Sequence, residues 1–264
     1  MQFNGFISDY LELVFLLKSF RLLSRKKMDN FRVTNMTATF QLWISTSSII
    51  CISFPHIFSV LNLISIAVRV NWYQLLAKHG ICSEYQPQRF HAIIQRCKCR
   101  DASITASIFK SGCVVLTGGR SPDACRKAAL RICRRINHAV YRDLTSTRLK
   151  RFACYRFKIE NVVCAFKCTH QLAIEKLYED YCKGPPQQFD FAGMQAKMIY
   201  RPTSFTALRL SYKSGTQKIA LMLFTNGNVT LSGLKNEKDS QHFAQKLYSL
   251  ILSNYIRSPS KHLS

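Results

Sequence analysis

The stretch Arg89–Gly119, which reads RFHAIIQRCKCRDASITASIFKSGCVVLTGG, occurs twice in this chain. Its second copy is Ser204–Leu234, SFTALRLSYKSGTQKIALMLFTNGNVTLSGL, and the two align without a gap. A repeat of this length decides the architecture of the chain. The clearest coincident pairs are Phe90 with Phe205, Phe109 with Phe224, Gly112 with Gly227, and Gly118 with Gly233.

Each copy predicts a β-hairpin. Residues 104–109 and 113–117 alternate in polarity on either side of a short turn that contains a glycine. This alternation places Ile104, Ile108 and Leu116 on a core face, and Phe109 on the opposite face. The second copy repeats the pattern, with one large ring among small residues. The opposite face is therefore either covered by another element or exposed for contact with a ligand.

The repeat extends beyond the hairpins. Phe31–Phe40 aligns with Phe157–Phe166, and each hairpin is followed by a helix start signal. Ser121 supplies an N-cap before Pro122 in the first copy, and Asn236 opens the second helix, with Phe243, Leu247, Leu250 and Ile251 predicted on its buried side. Each unit reads as strand, helix, run of strands and long helix. This order predicts an α+β fold with one antiparallel sheet and helices on one side.

The ordered set of motifs resembles the two halves of the TATA-binding protein family. The motifs are Asn35 and Asn161 in the first strands, SGCVVLTG at 111–118, NGNVTLSG at 226–233, the phenylalanine pairs, and YQPQRF at 85–90. The resemblance covers roughly residues 30–256. It implies a pseudo-twofold saddle of two repeats, with a curved antiparallel sheet and helices on the convex side.

The resemblance also implies a function, namely binding and bending promoter DNA through the minor groove and nucleating the preinitiation complex. Proteins of this family wedge apolar side chains between base steps. Phe90 with Phe109, and Phe205 with Phe224, would be the wedges at the two ends of the site, and the two asparagines would donate to minor-groove acceptors near its centre. The remaining implied DNA-binding residues are Val115, Val163, Thr37, Thr230, Thr117, Ser232 and Arg96.

Several positions depart from the family pattern. Thr37 and Thr230 stand in place of valines, and Ser211 stands where a phosphate-binding arginine is expected. The acidic stretch that precedes the third phenylalanine in the family is replaced by Tyr200–Ser204. The family implies transcription factors IIA and IIB as partners. These departures leave open the preference for TATA sequences, the binding of IIB, and whether the chain is the housekeeping protein, a paralogue, or a scaffold with weak DNA affinity.

The composition agrees with a polyanionic partner. The formal net charge of +24 favours double-stranded DNA or an anionic membrane surface. The family resemblance implies a location in the nucleus. The 11 cysteines lack zinc-ligand spacing, so we expect buried free thiols and no metal. No catalytic constellation is present, and we expect neither an enzyme, nor a cofactor, nor a small-molecule substrate.

Residues 42–68 contain no charged side chain and are long enough to span a bilayer. Three interpretations stay open: an insertion within the first repeat, a membrane span in a basic membrane-associated protein, and translated intron. No membrane partner is expected, because a span here would interrupt the sheet. The predicted organisation is an N-terminal extension (1–30), a first repeat (31–140) holding this insertion, a basic linker (141–156), a second repeat (157–256) and a tail (257–264).

Overall fold

A computed structural model describes residues 28–45, 72–99, 102–141, 151–191 and 193–257. Most of the N-terminal extension and of the apolar segment, part of the basic linker and nearly all of the tail lie outside these residues. Across the described ranges, no helix is both long and apolar enough to cross a membrane. The contacts of the described residues define a first unit within Val33–Val162, and a second unit that holds the described residues up to Arg32 and from Val163 onward.

The first unit is built from strands with helices packed on one face. Its elements are β1 (Asp29–Ser45), α1 (Trp72–His79), β2 (Ser83–Glu84), β3 (Ala92–Lys98), β4 (Ser103–Phe109), β5 (Cys113–Gly119), α2 (Pro122–Tyr141) and the start of β6 (Arg151–Lys167). The strand order is β2-β3-β4-β5-β1, with β6 next to β1. Strand β1 continues to Ser45, so the sheet extends into the apolar segment, and β6 begins inside the stretch interpreted as linker.

The core of the first unit follows the predicted alternation. Ile104, Ile108 and Leu116 are fully buried, and α2 packs on β3, β4 and β5. Helix α2 begins where its capping signal predicts, because Ser121 Oγ accepts a hydrogen bond of 3.2 Å from the backbone N–H of Ala124. The buried stripe of the helix is Cys125, Ala128, Ala129, Ile132, Cys133 and Ile136.

The second unit repeats this plan. It contains α3 (Ile174–Lys183), β7 (Gln195–Arg201), β8 (Phe205–Ser214), β9 (Gln217–Leu223), β10 (Asn228–Leu234) and α4 (Glu237–Leu250), with 3-10 helices at Pro186–Phe189 and Leu252–Tyr255. The strand order is β6-β10-β9-β8-β7, and α4 packs on β10. The Asn236 cap is confirmed, since its Oδ1 accepts from Asp239 N–H at 2.7 Å. Leu250 was wrongly predicted to be buried: it is 56% exposed, because the apolar stripe of α4 passes through Ala244 and Tyr248 instead.

Matching glycines adopt matching backbone conformations in the two units. Gly112 and Gly227 close the hairpins with φ of 83° and 85°, and Gly118 and Gly233 follow with φ of 95° and 104°. Only glycine adopts these values at low cost. The duplication read from the sequence is thus present in the backbone. The predicted α+β class, with antiparallel strands and helices packed on the core face, is confirmed.

Candidate nucleic-acid interface

In each unit, the sheet face opposite the helices is accessible. In the first unit, Phe109, Val115 and Thr37 lie on this face and are half-buried, while Thr117 is exposed. In the second unit, Phe224, Thr230 and Ser232 are likewise half-buried on the corresponding face. Asn161 and Val163 occupy half-buried positions along β6. Among the residues that the structure describes, no element covers the phenylalanine rings completely.

The phenylalanines form one edge-to-face pair in each unit. The ring centroids of Phe90 and Phe109 are 6.0 Å apart at an interplanar angle of 72°. Those of Phe205 and Phe224 are 6.4 Å apart at 65°. Phe90 is 47% exposed, an unusual fraction for so large an apolar ring. Each predicted wedge pair is therefore assembled, and its two rings stabilise one another by the preferred aromatic geometry.

Tyr73 on α1 contacts the backbone next to Phe90 and Phe109, a contact that the sequence did not reveal. Its hydroxyl lies 3.1 Å from the carbonyl oxygen of His91 and 3.2 Å from that of Ile108, the residues adjoining the two rings. Burial raises the pKa of Tyr73 to about 12, so the hydroxyl keeps its proton and donates at neutral pH. The backbone beneath Phe90 and Phe109 is thereby tied together.

A backbone hydrogen bond fixes the orientation of the side-chain amide of Asn35. Its Oδ1 accepts a hydrogen bond of 2.7 Å from the N–H of Gly118. A backbone donor requires the oxygen of the amide at this end, so the NH₂ group is the donor that the side chain offers elsewhere. This orientation is the one that the predicted contact with minor-groove acceptors needs.

Cross-strand register arranges the polar side chains of the first unit into rows. Thr105 lies opposite Thr117 on β5 and opposite Arg96 on β3, so these three residues share one face. Arg96 stands at the outer end of this row and is exposed, as a phosphate contact requires. It forms an ion pair with Glu84, but exposed pairs of this kind contribute little and exchange readily.

In the second unit, the strand register shows which basic side chains lie near Ser211. Ser211, the counterpart of Arg96, lies opposite Lys197 on β7, which is exposed. Arg209 lies one row along the same face, opposite Met222, with its guanidinium carbon 4.8 Å from the centre of the Phe205 ring. Alignment of the two repeats does not indicate these residues, because Arg209 aligns with Ile94 and Lys197 lies outside the aligned stretch. The alternation of buried Leu208 and Leu210 around position 209 was a signal for the first.

A family model and several known proteins match this sequence. The family model described as "Transcription factor TFIID (or TATA-binding protein, TBP)" matches residues 55–139 and 156–254, more than half of the chain. The match begins after the first strand and includes part of the apolar segment. A TATA-box-binding protein of Tetrahymena thermophila is 26% identical over 206 residues, which are 76% of this chain and 71% of the relative.

Other relatives are similarly distant. The TATA-box-binding protein of Dictyostelium discoideum is 28% identical over 197 residues, 75% of this chain and 83% of the relative. A solved structure, Methanococcus jannaschii TBP, aligns over 84% of this chain and 98% of its own length, with 18% identity and a TM-score of 0.49. The extent of the family match shows that the chain belongs to the TFIID or TATA-binding protein family, whose members are DNA-binding transcription factors and not enzymes.

Proposed function

We propose that this protein is a nuclear transcription initiation factor that binds duplex promoter DNA in the minor groove, bends it, and nucleates a preinitiation complex. The observation that carries the proposal is the pair of phenylalanines presented on the accessible sheet face of each unit. Minor-groove proteins of this kind insert apolar rings between base steps and kink the duplex. Two such pairs acting on one duplex would kink it twice.

The charge distribution supports binding to the DNA backbone. Each unit has a basic side chain at the outer part of the same face as its rings: Arg96 in the first, and Arg209 with Lys197 in the second. Such residues neutralise phosphates and release counterions, which makes affinity depend on salt. Positive charge at this place in both units favours a DNA-binding protein over a scaffold that has lost DNA affinity.

The proposed protein partners are general transcription factors. Transcription factor IIA is the preferred candidate, and transcription factor IIB is the second candidate. The exposed side of α2 carries Arg126, Lys127, Arg131 and Arg134, a basic surface suited to an acidic partner. Arg131 is held by a hydrogen bond of 2.8 Å to the carbonyl oxygen of Lys98, and Arg126 lies 4.6 Å over the ring of Phe157. Association with purified IIA and IIB on a promoter duplex tests this part of the proposal.

A gel-shift titration of TATA and random duplexes across a salt series tests the DNA-binding proposal. We expect the logarithm of the binding constant to fall linearly with the logarithm of salt concentration. Replacement of Arg209 by alanine should reduce the slope by about 0.9, the value for one phosphate contact on B-DNA, on every sequence alike. Arg134→Ala makes the same change of charge on α2 and should leave the slope unchanged. Absence of salt-dependent binding by the wild-type protein would favour the scaffold.

A further inference from the structure

The hydroxyl of Thr39 donates its proton in a hydrogen bond to a carboxylate. Its Oγ1 donates a hydrogen bond of 2.8 Å to Oε1 of Glu160, which lies far away along the chain but in the same unit. The ammonium nitrogen of Lys158 lies 2.6 Å from that same oxygen. Thr39 belongs to the accessible face, because it pairs directly with Val115 across the β1–β5 ladder.

This arrangement determines which hydrogen bonds the site still offers. A hydroxyl has one proton, and Thr39 gives it to Glu160, so its oxygen only accepts from a ligand. An ionised carboxylate also only accepts. Asn35, on the same strand, has the opposite polarity, since its oxygen is engaged by Gly118 and its NH₂ group donates. The face thus has a donor at one position of β1 and acceptors at another.

The minor groove distinguishes these two polarities. A·T and T·A pairs show only acceptors there, namely adenine N3 and thymine O2, whereas a G·C pair adds the guanine N2 amino donor. The NH₂ group of Asn35 therefore matches either kind of pair. Acceptors at Thr39 and Glu160 would face the lone pairs of an A·T pair, an unfavourable arrangement, but would receive a hydrogen bond from the guanine amino group.

We propose that Thr39 and Glu160 together form an acceptor pair that selects the exocyclic amino group of guanine in the minor groove. The proposal rests on the proposed minor-groove binding and names a sequence preference within it. The carboxylate does not make the site anionic, because the ammonium group of Lys158, whose side chain is 65% exposed, pairs with it. The preferred site of this protein therefore contains a G·C pair where an all-A·T element has none.

Base analogues test this inference by moving only the amino group. In a TATA duplex, each A·T pair in turn is replaced by G·C, inosine·C or 2,6-diaminopurine·T, and affinity is measured by fluorescence anisotropy. Guanine and diaminopurine carry the N2 amino group, whereas inosine and adenine lack it. At one step we expect both amino-bearing pairs to bind about tenfold more tightly than both amino-free pairs.

Variants assign the preference to this pair of residues. Thr39→Val removes the hydroxyl at nearly constant shape and should abolish the preference, while Thr39→Ser should retain it. Glu160→Ala, a second and independent change, should also abolish it, since the freed hydroxyl then donates as readily as it accepts. Thr34→Val removes another hydroxyl of β1, at a position that strand alternation assigns to the opposite face, and serves as the control, with the preference unchanged.

The outcomes separate this inference from the function on which it rests. A wild-type protein that binds and bends duplexes but shows no gain from the amino group at any step overturns the inference and leaves the proposed function standing. Retention of the preference in folded Thr39→Val also overturns it, since the acceptor then lies elsewhere. Failure to bind any duplex at low salt overturns both.

Discussion

Replacing Phe109 and Phe224 by alanine together should abolish bending while leaving the protein folded. Phe→Ala in a full core costs about 3–5 kcal/mol, but both rings are only half-buried, so we expect about 1–2 kcal/mol at each. That sum is below the about 5–15 kcal/mol by which domains are usually stable. Stacking of a base on an aromatic ring is worth about 1–3 kcal/mol, so binding should weaken by about 2–6 kcal/mol, or at least ~30-fold.

Three measurements test this prediction. Resonance energy transfer between dyes at the ends of the duplex reports bending, anisotropy reports affinity, and urea denaturation reports the free energy of unfolding. The matched controls are Ile108→Ala and Leu223→Ala, each next to a wedge but fully buried on the opposite face. They should cost about 2–5 kcal/mol of stability and leave bending intact in the folded protein. A double phenylalanine variant that unfolds, or that bends DNA like the wild type, would refute the assignment of the rings as wedges.

Two further predictions concern stability. A Cβ at Gly233 (φ 104°) would lie 2.2 Å from the carbonyl oxygen of Lys218. Gly233→Ala should therefore lower the free energy of unfolding, measured by urea denaturation, by about 3 kcal/mol. The control is Gly215→Ala (φ 55°), which should cost only about 1 kcal/mol because no atom lies within 4 Å of the added Cβ. Burial raises the pKa of the Cys133 and Cys168 thiols from 9.0 to about 12. The unfolded chain therefore loses these protons first as pH rises, and the free energy of unfolding should fall by about 1 kcal/mol per thiol between pH ~7.5 and ~10, part of which Cys133→Ala should remove.

The sequence was sufficient for the alternation of the hairpin strands and for the start of α2. A strand turns its side chains alternately to its two faces, so the burial of Ile104 and Ile108 and the accessibility of Phe109 follow from the order of residues. The start of α2 follows from a capping interaction that spans only three residues. The internal repeat can also be recognised from the sequence, because duplication leaves two copies to compare. The family can be recognised from the motifs that these copies contain.

The sequence predictions were wrong or incomplete where a feature depends on tertiary contacts. Helical spacing placed Leu250 on the buried side of α4, but the surface that the sheet presents decides which stripe is covered, and that surface is tertiary. Alignment marked Ser211 as a lost phosphate contact. Only the register of β8 against β7 and β9 shows that Lys197 and Arg209 bring positive charge to the same face.

What the chain determines by itself is therefore the duplicated plan, the hairpins and the positions of the paired phenylalanines, since these are encoded within short windows. The tertiary structure alone decided the polarity of the accessible face. Thr39 becomes an acceptor only because Glu160 reaches it from β6, and Asn35 presents its donor only because Gly118 engages its oxygen. Hydrogen bonds between residues distant in sequence form only when the strands pair, so no local pattern records them.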